Sequence, residues 1–385
     1  MDPRTDESLD DRGNPFPWYA HMRREAPGWV NPERGTLSLF CYDDVQRAFS
    51  DWEAFSSARG GAGRSPIGSS IISSDPPRHR QLRNLVTQAF TPRAVTKLEP
   101  RIGAIISELL DEVASAGRMD FIESFAYPLP VIVIAEMLGI PPADRAQFRL
   151  WSDSIVSQGN EPGRLNIMDA QREMAAYFGK LIAARAAEPR DDLISHLIAA
   201  EIDGERLTPM ELIGFCVLLL VAGNETTTNL LGNTILCFDE RPETYERLRA
   251  NPDLIPNAVE EVLRYRSPVQ LMFRSATGAT EVAGVTTNPG QGVILYIGSA
   301  NRDEAQFPNA DVFDIERAPN RHLAFGYGIH FCLGAPLARL EAKLALEALT
   351  TRFHDIRRVP GAPLPWMKSD IVYGVSSLPI TYQAN

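Results

Sequence analysis

The middle of the chain limits its fold more than any other part. Thr208-Pro209-Met210-Glu211 has the form of a capping box with proline at the first helical position, so a helix starts there. Pro242 stops it, which leaves a helix from Thr208 to about Asp239. That is roughly 30 residues, or about 45 Å. From Ile213 to Ala222 it is apolar on every side. Such a helix has no face suited to water, so it must be buried and the rest of the chain must wrap it. The apolar run falls well short of the ~20 residues that cross a bilayer. A mainly α protein with small β-sheets and a long central helix is therefore expected.

This helix is interrupted by Gly223-Asn224-Glu225-Thr226-Thr227-Thr228-Asn229. A buried acid in mid-helix is costly unless it is paired or functional. Threonine hydroxyls there can bond back to the backbone and loosen the ladder. A solvent-facing polar patch is the plainer explanation, but the apolar residues on all sides argue against it.

A second stretch has its own chemistry. Phe325-Gly326-Tyr327-Gly328-Ile329-His330-Phe331-Cys332-Leu333-Gly334 leads into Ala335-Pro336-Leu337-Ala338-Arg339-Leu340-Glu341, which reads as a helix with proline in its first turn. Cys332 thus stands just before a helix N-terminus, where free N–H groups and the helix dipole favour a thiolate. The glycines leave backbone bare where a flat, bulky group could come close. An inert cysteine in a tight turn is the alternative.

Every defined position of this run resembles the haem-binding loop of the cytochrome P450 family, Phe-Gly-x-Gly-x-His-x-Cys-x-Gly. The resemblance implies a cytochrome P450 fold with the long helix over a buried haem. Cys332 would be the axial thiolate, a ligand that pushes electron density onto iron to favour O–O cleavage. Phe325, Gly326 and Gly334 would line the haem, and His330 would reach a propionate. Ala222-Gly223-Asn224-Glu225-Thr226 resembles the family's Ala-Gly-x-(Asp/Glu)-Thr, which makes Glu225 and Thr226 the proton-handling pair and Ala222 a haem contact. Asp75-Pro76-Pro77-Arg78-His79 with Arg83 four residues on resembles the helix whose His and Arg bind propionates. Arg274 matches a further propionate ligand. Glu261 and Arg264 match the structural Glu-x-x-Arg pair, with Arg317 as its third member.

The matches run along nearly the whole chain. A single haem domain over residues 1–385 is expected, helix-rich over 75–265 and 333–352 and sheet-rich over 28–41, 268–316 and 360–385. Individual helices are expected at 14–26, 43–52, 98–116, 128–138, 142–156, 167–187, 191–201 and 256–265. The glycine- and serine-rich loop 56–74 would cover the substrate pocket, and the break at 157–164 reads as a lid. His196 reads as structural.

Net charge is −11, which argues against nucleic acid as a partner. Cys41, Cys216, Cys237 and Cys332 have no paired spacing, so neither a disulfide framework nor a zinc site nor an iron–sulfur cluster is expected. The N-terminus is polar and acidic, so neither a signal peptide nor a membrane anchor is expected and the location reads as cytoplasmic. About 50 residues follow Cys332 in this sequence, so no fused reductase is expected.

The resemblance implies a monooxygenase with haem b and O2, taking electrons from a separate ferredoxin and ferredoxin reductase. A peroxide-driven peroxygenase is one alternative, although Glu225-Thr226 speaks against it. A haem protein that only binds ligands or carries electrons is another. Pocket candidates by position are Ile71, Ile72, Leu218, Val221, Ala222, Gln270, Met272, Ile371 and Val372, which suits a hydrophobic terpenoid, fatty acid, steroid or macrolide core. Arg78, Arg80, Arg93, Lys97, Arg339 and Lys343 are expected to form a basic patch that steers an acidic ferredoxin.

Overall fold

The structure, a computed structural model, describes residues 13–58, 68, 70–89, 92–156, 165–202 and 204–385. The chain is mainly α-helical with small sheets. It opens with helix α1 (Phe16–Glu25), strands β1 (Gly28–Val30) and β2 (Leu37–Leu39), α2 (Tyr42–Ser50) and β3 (Phe55–Ser56). Next come α3 (Arg78–Ala89), α4 (Pro92–Thr96), α5 (Glu99–Val113), β4 (Arg118–Asp120), α6 (Pro128–Met137), α7 (Arg145–Val156), α8 (Ile167–Ala187) and α9 (Leu193–Ala199). The long helix is α10 (Pro209–Glu240), followed by α11 (Pro242–Ala250) and α12 (Ile255–Tyr265). Strands β5 (Leu271–Ala276), β6 (Glu281–Val282), β7 (Val285–Thr286) and β8 (Gly292–Tyr296) lead to α13 (Ile297–Ala300). The chain ends with α14 (Ala335–Arg352), β9 (Phe353–Arg358) and β10 (Pro379–Ala384).

Two compact units share this chain. The first takes the segment up to Arg59, Asn229–Cys332 and Pro360–Ser376; the second takes Gly60–Thr228, Leu333–Val359 and Ser377–Asn385.

The first unit is built on a five-stranded sheet in the order β1-β2-β8-β5-β3. Within the expected sheet-rich stretch 28–41, β1 and β2 form an antiparallel hairpin; β2 runs parallel to β8, and β5 runs antiparallel to β8. Leu37, Leu39, Val45, Phe49, Phe55, Val293, Leu295 and Phe307 fill the core against it. A second cluster of Trp18, Tyr19, Met22 and Phe40 packs beside Tyr296. The expected sheet over 268–316 is confined to 271–296. Beyond it the chain makes α13 and then turns, because Arg264 and Arg317 draw the carbonyls of residues 301–312 inward as hydrogen-bond acceptors. The expected sheet-rich region 360–385 has regular strand only at β10, with isolated bridges before it.

In the second unit, β10 is the middle strand of a three-stranded antiparallel sheet, β4-β10-β9. α5 packs on α14 and on α6, and α7 packs on α8. The Arg185–Asp192 ion pair is buried, and Arg185 Nη2 also donates to the Gly139 carbonyl at 2.9 Å. Asp192 Oδ1 accepts from Ser195 N at 2.9 Å and so caps α9. His196 is exposed beside Asp191. The expected lid at 157–164 and most of the loop 56–74 lie outside the described residues.

α10 is the one helix among the described residues long and apolar enough to cross a membrane, but half of its apolar window is buried. From Phe215 to Phe238 every side chain is buried except at Leu218, Leu219, Val221, Ala222, Gly223 and Thr226.

Candidate active site

In the first unit, the loop before α14 is shaped by two glycines. Gly326 and Gly328 both take φ +70°, the left-handed region that side chains resist. At Gly328 a Cβ would also lie 2.9 Å from the Phe49 carbonyl oxygen and 3.1 Å from Ser50 Cα, so nothing larger fits against α2. The loop closes when Cys332 N donates to the Phe325 carbonyl at 2.9 Å. Between these ends the chain stays open: Tyr327 and Phe331 are exposed, and Phe325, His330, Cys332 and Gly334 are half-buried. Burial pushes the Cys41 thiol up to about 11 and the Cys216 and Cys237 thiols up to about 12, so those three stay protonated.

Arg274 lies on β5 with its guanidinium 5.2 Å from the centre of the Phe49 ring, and Nη1 donates to the Phe273 carbonyl at 2.8 Å. Met272 shares that strand face by alternation and is half-buried. Ile371 and Val372 run beside the start of β5, where Gln270 N donates to the Ile371 carbonyl at 2.7 Å and Val372 bridges to Val269.

Gln270 departs from the expected pocket role. Its side chain is buried, Oε1 accepts from Tyr19 OH at 3.0 Å, and Nε2 donates to the Ser267 carbonyl at 2.7 Å. It also fills the space of a missing side chain, since a Cβ on Gly298 would stand 1.9 Å from Oε1. Its amide belongs to the core, and the sequence held no sign of this because Tyr19 is distant in the chain.

Glu261 and Arg264 pair at 2.7 Å with neither side chain exposed. Arg317 joins Glu261 at 3.3 Å, and Asn320 Nδ2 donates to it at 3.1 Å. Arg264 also donates to the carbonyls of Asn301, Ala310 and Val312. The cluster is a clamp on the segment that leads to the cysteine loop.

In the second unit, α10 presents a single opening made of the partly exposed residues from Leu218 to Thr226. Thr226 Oγ1 donates to the Ala222 carbonyl at 2.6 Å, the back-bonding expected of a mid-helix threonine. Glu225 is buried beside it. Gly223 has a packing reason: a Cβ there would come within 2.6 Å of Ile134 Cδ1, so the glycine lets α6 approach α10. On α3, His79 is buried and Arg83 half-buried, four residues apart on one face. Ile71 is buried and Ile72 half-buried in the 3-10 turn Ile71–Ser73 that precedes it.

Two further features went unread in the sequence. Arg78 was expected in an exposed basic patch, but it is paired: Nη2 lies 2.5 Å from Glu211 Oε1, and Nη1 lies 3.6 Å from Glu205. Lys343 is partly paired as well, 3.5 Å from Glu347, while Arg80, Arg93 and Lys97 are exposed. Glu341 was missed altogether. It is buried on α14 with its carboxyl bonded to the Thr227 side chain, and burial pushes its acid up to about 8. Its spacing from Leu337 and Ala345, both buried at four residues' distance, was the available signal.

An iron porphyrin needs a soft axial donor, cations for its carboxylates and apolar surface for its faces. Taken unit by unit, the first offers a half-buried thiol at Cys332 and a guanidinium at Arg274, and the second offers His79, Arg83 and the apolar opening on α10; each is of a kind that haem binds, so these residues fit haem.

Comparison with known proteins agrees. The Cytochrome P450 family model matches residues 166–355. Cytochrome P450 109 of Bacillus spizizenii is 46% identical over 97% of this chain and 93% of its own. Cyclomarin C epoxidase CymV of Salinispora arenicola is 41% identical over 98% of both chains. The crystal structure of CYP109E1 from Bacillus megaterium with testosterone covers 96% of this chain and 98% of its own, with a TM-score of 0.91 at 44% identity. A fold built around a buried polar-centred helix and a glycine-shaped cysteine loop, with these relatives along almost its full length, makes this chain a member of the cytochrome P450 family.

Proposed function

We propose that this enzyme inserts one oxygen atom from O2 into a C–H or C=C bond of a steroid-sized apolar molecule. The carrying observation is the opening on α10. Leu218, Val221 and Ala222 stay partly exposed on an otherwise buried helix, and Thr226 ends the opening with a hydroxyl. This is an apolar wall with one proton-bearing group at its edge. CYP109E1, of which testosterone and corticosterone complexes are known, supports a steroid or a molecule of similar size.

The proposed cofactor is haem b, and the proposed site is one haem domain. Cys332 would ligate the iron. His79, Arg83, Arg274 and His330 would meet the propionates, with Ala222, Phe325, Gly326 and Gly334 against the ring. When bound, the haem supplies the reductive activation of O2. The chain's own residues do the remainder. Thr226 holds a proton at Oγ1, lent meanwhile to the Ala222 carbonyl. Glu225, one residue before it and buried, would replace that proton. Leu218, Val221, Ile71, Ile72, Met272, Ile371 and Val372 would hold the substrate by apolar contact and keep water out.

Two electrons per turnover would come from a separate ferredoxin and ferredoxin reductase, in the cytoplasm. The test is a spectral titration of the haem-loaded protein with testosterone, corticosterone, a macrolide lactone and a long-chain fatty acid. Loss of iron-bound water should shift the Soret band to the blue with at least one of these, and that compound should gain oxygen when reductant is supplied. A shift confined to charged, polar compounds would overturn the substrate class.

A further inference from the structure

The first residue of α3 is gripped by the first turn of α10. Arg78 Nε lies 2.8 Å from Glu211 Oε1, and Nη2 lies 2.5 Å from Oε1 and 2.6 Å from Oε2. This is a two-nitrogen fork on one carboxylate, which fixes direction as well as distance. Glu211 is itself held, because its Oε2 accepts from Thr208 N and Thr208 Oγ1, both at 2.9 Å. The same carboxylate therefore caps α10 and grips α3. Burial would raise its acid, but the hydrogen bonds from Arg78 and Thr208 outweigh that and hold it below the usual range. Arg78 is further steadied by Gln81 Oε1 at 3.0 Å. Its side chain is 34% exposed and that of Glu211 15%.

α3 carries three faces. Leu82, Leu85 and Val86 are its buried apolar face. His79 and Arg83 form the second face, and Arg78 is the third, turned about 100° from His79. Among the described residues of α3, Leu82, Leu85 and Val86 supply the apolar contact, which has no preferred direction, and the fork at Arg78 adds a directional constraint on the helix's roll. Rolling α3 by a fraction of a turn would swing His79 and Arg83 together.

We infer that Arg78 is a positioning residue that sets the roll of α3 and so aims His79 and Arg83 at the haem carboxylates. The inference rests on the proposed haem role of those two residues. It also removes Arg78 from the docking patch, since its charge is paired with Glu211.

The experiment measures haem transfer from the holoenzyme to excess apomyoglobin, with no turnover involved. Arg78→Gln and Glu211→Gln should each speed haem loss about threefold to tenfold. Arg78→Gln/Glu211→Gln should be no faster than the faster single variant. Arg78→Lys, which keeps the charge without the fork, should fall between, and it carries the test if Arg78→Gln does not fold. Arg101→Gln is the control, because it breaks the Arg101–Glu136 pair, which joins α5 to α6 in the same unit and involves no residue of α3. Haem loss from Arg78→Gln at the wild-type rate, or no faster than from Arg101→Gln, overturns the inference. His79→Gln separates the two levels. If it speeds haem loss while Arg78→Gln does not, only the positioning role fails. If it too leaves the rate unchanged, the haem role of the α3 face falls, and the inference with it.

Discussion

Glu341 on α14 bonds the Thr227 side chain of α10 while its second carboxyl oxygen, Oε1, has no hydrogen-bond partner among the described residues. Burial raises its acid from 4.5 to about 8, so near neutral pH the group is largely an uncharged carboxylic acid. In the unfolded chain it ionises at the lower value. Its stabilising contribution is therefore complete below about pH 4.5, declines as pH rises toward 8, and stays lost above that. Glu341→Gln should flatten this slope and raise Tm at pH 9 relative to wild type. Parallel melting curves for the two proteins across pH 5–9 would sink the assignment.

Cys332→Ser should abolish the red-shifted Soret band that the reduced protein gives with carbon monoxide when iron carries a thiolate. An unchanged band would move the ligand elsewhere in the chain.

Thr226→Ala removes the hydroxyl that donates to the Ala222 carbonyl. Substrate affinity should hold within about twofold, while product per electron consumed falls by roughly tenfold and hydrogen peroxide appears. Loss of affinity with coupling intact would make Thr226 a pocket wall instead.

Glu261 neutralises Arg264 where neither side chain is exposed. Glu261→Gln leaves a buried guanidinium short of its partner, and the expected cost is about 3–5 kcal/mol. Chemical denaturation of the holoenzyme should show it as a lower midpoint with unchanged slope. A shift under about 1 kcal/mol would mean that the carbonyls of Asn301, Ala310 and Val312 suffice.

Arg80, Arg93 and Lys97 remain exposed on and beyond α3, and Arg339 is half-exposed on α14. Replacing Arg80 and Arg339 together by Glu should slow reduction by a ferredoxin several-fold at low salt and leave peroxide-driven turnover alone. Equal reduction rates at every ionic strength would place the electron donor on another surface.

Much of this was legible because its causes are local. The capping box of α10 lies within its own first turn, and the cysteine loop is a contiguous run. What stayed hidden depends on partners far away in the chain. Arg78 read as a surface cation because its carboxylate is 133 residues downstream. Gln270 read as a strand residue facing a pocket because the bond to Tyr19 spans 251 positions. Glu341 sat on an apolar stripe and was passed over as an ordinary helix former, since only burial reveals its protonation.

The three-stranded sheet of the second unit also bears on how the protein is made. β4 and β9 meet only through β10, so residues 118–120 wait for residues 379–384 before any ladder can form. In the first unit, the Tyr373 hydroxyl donates to the Gly13 carbonyl, 360 positions away. Neither unit can complete itself before residues 373–384 have emerged from the ribosome. Helices such as α5 and α6 can form early, but the sheet beside them waits until residues 379–384 have been made. A ribosome stalled near residue 360 would hold a chain with most of its helices and neither finished unit, the state in which such a protein most needs a chaperone.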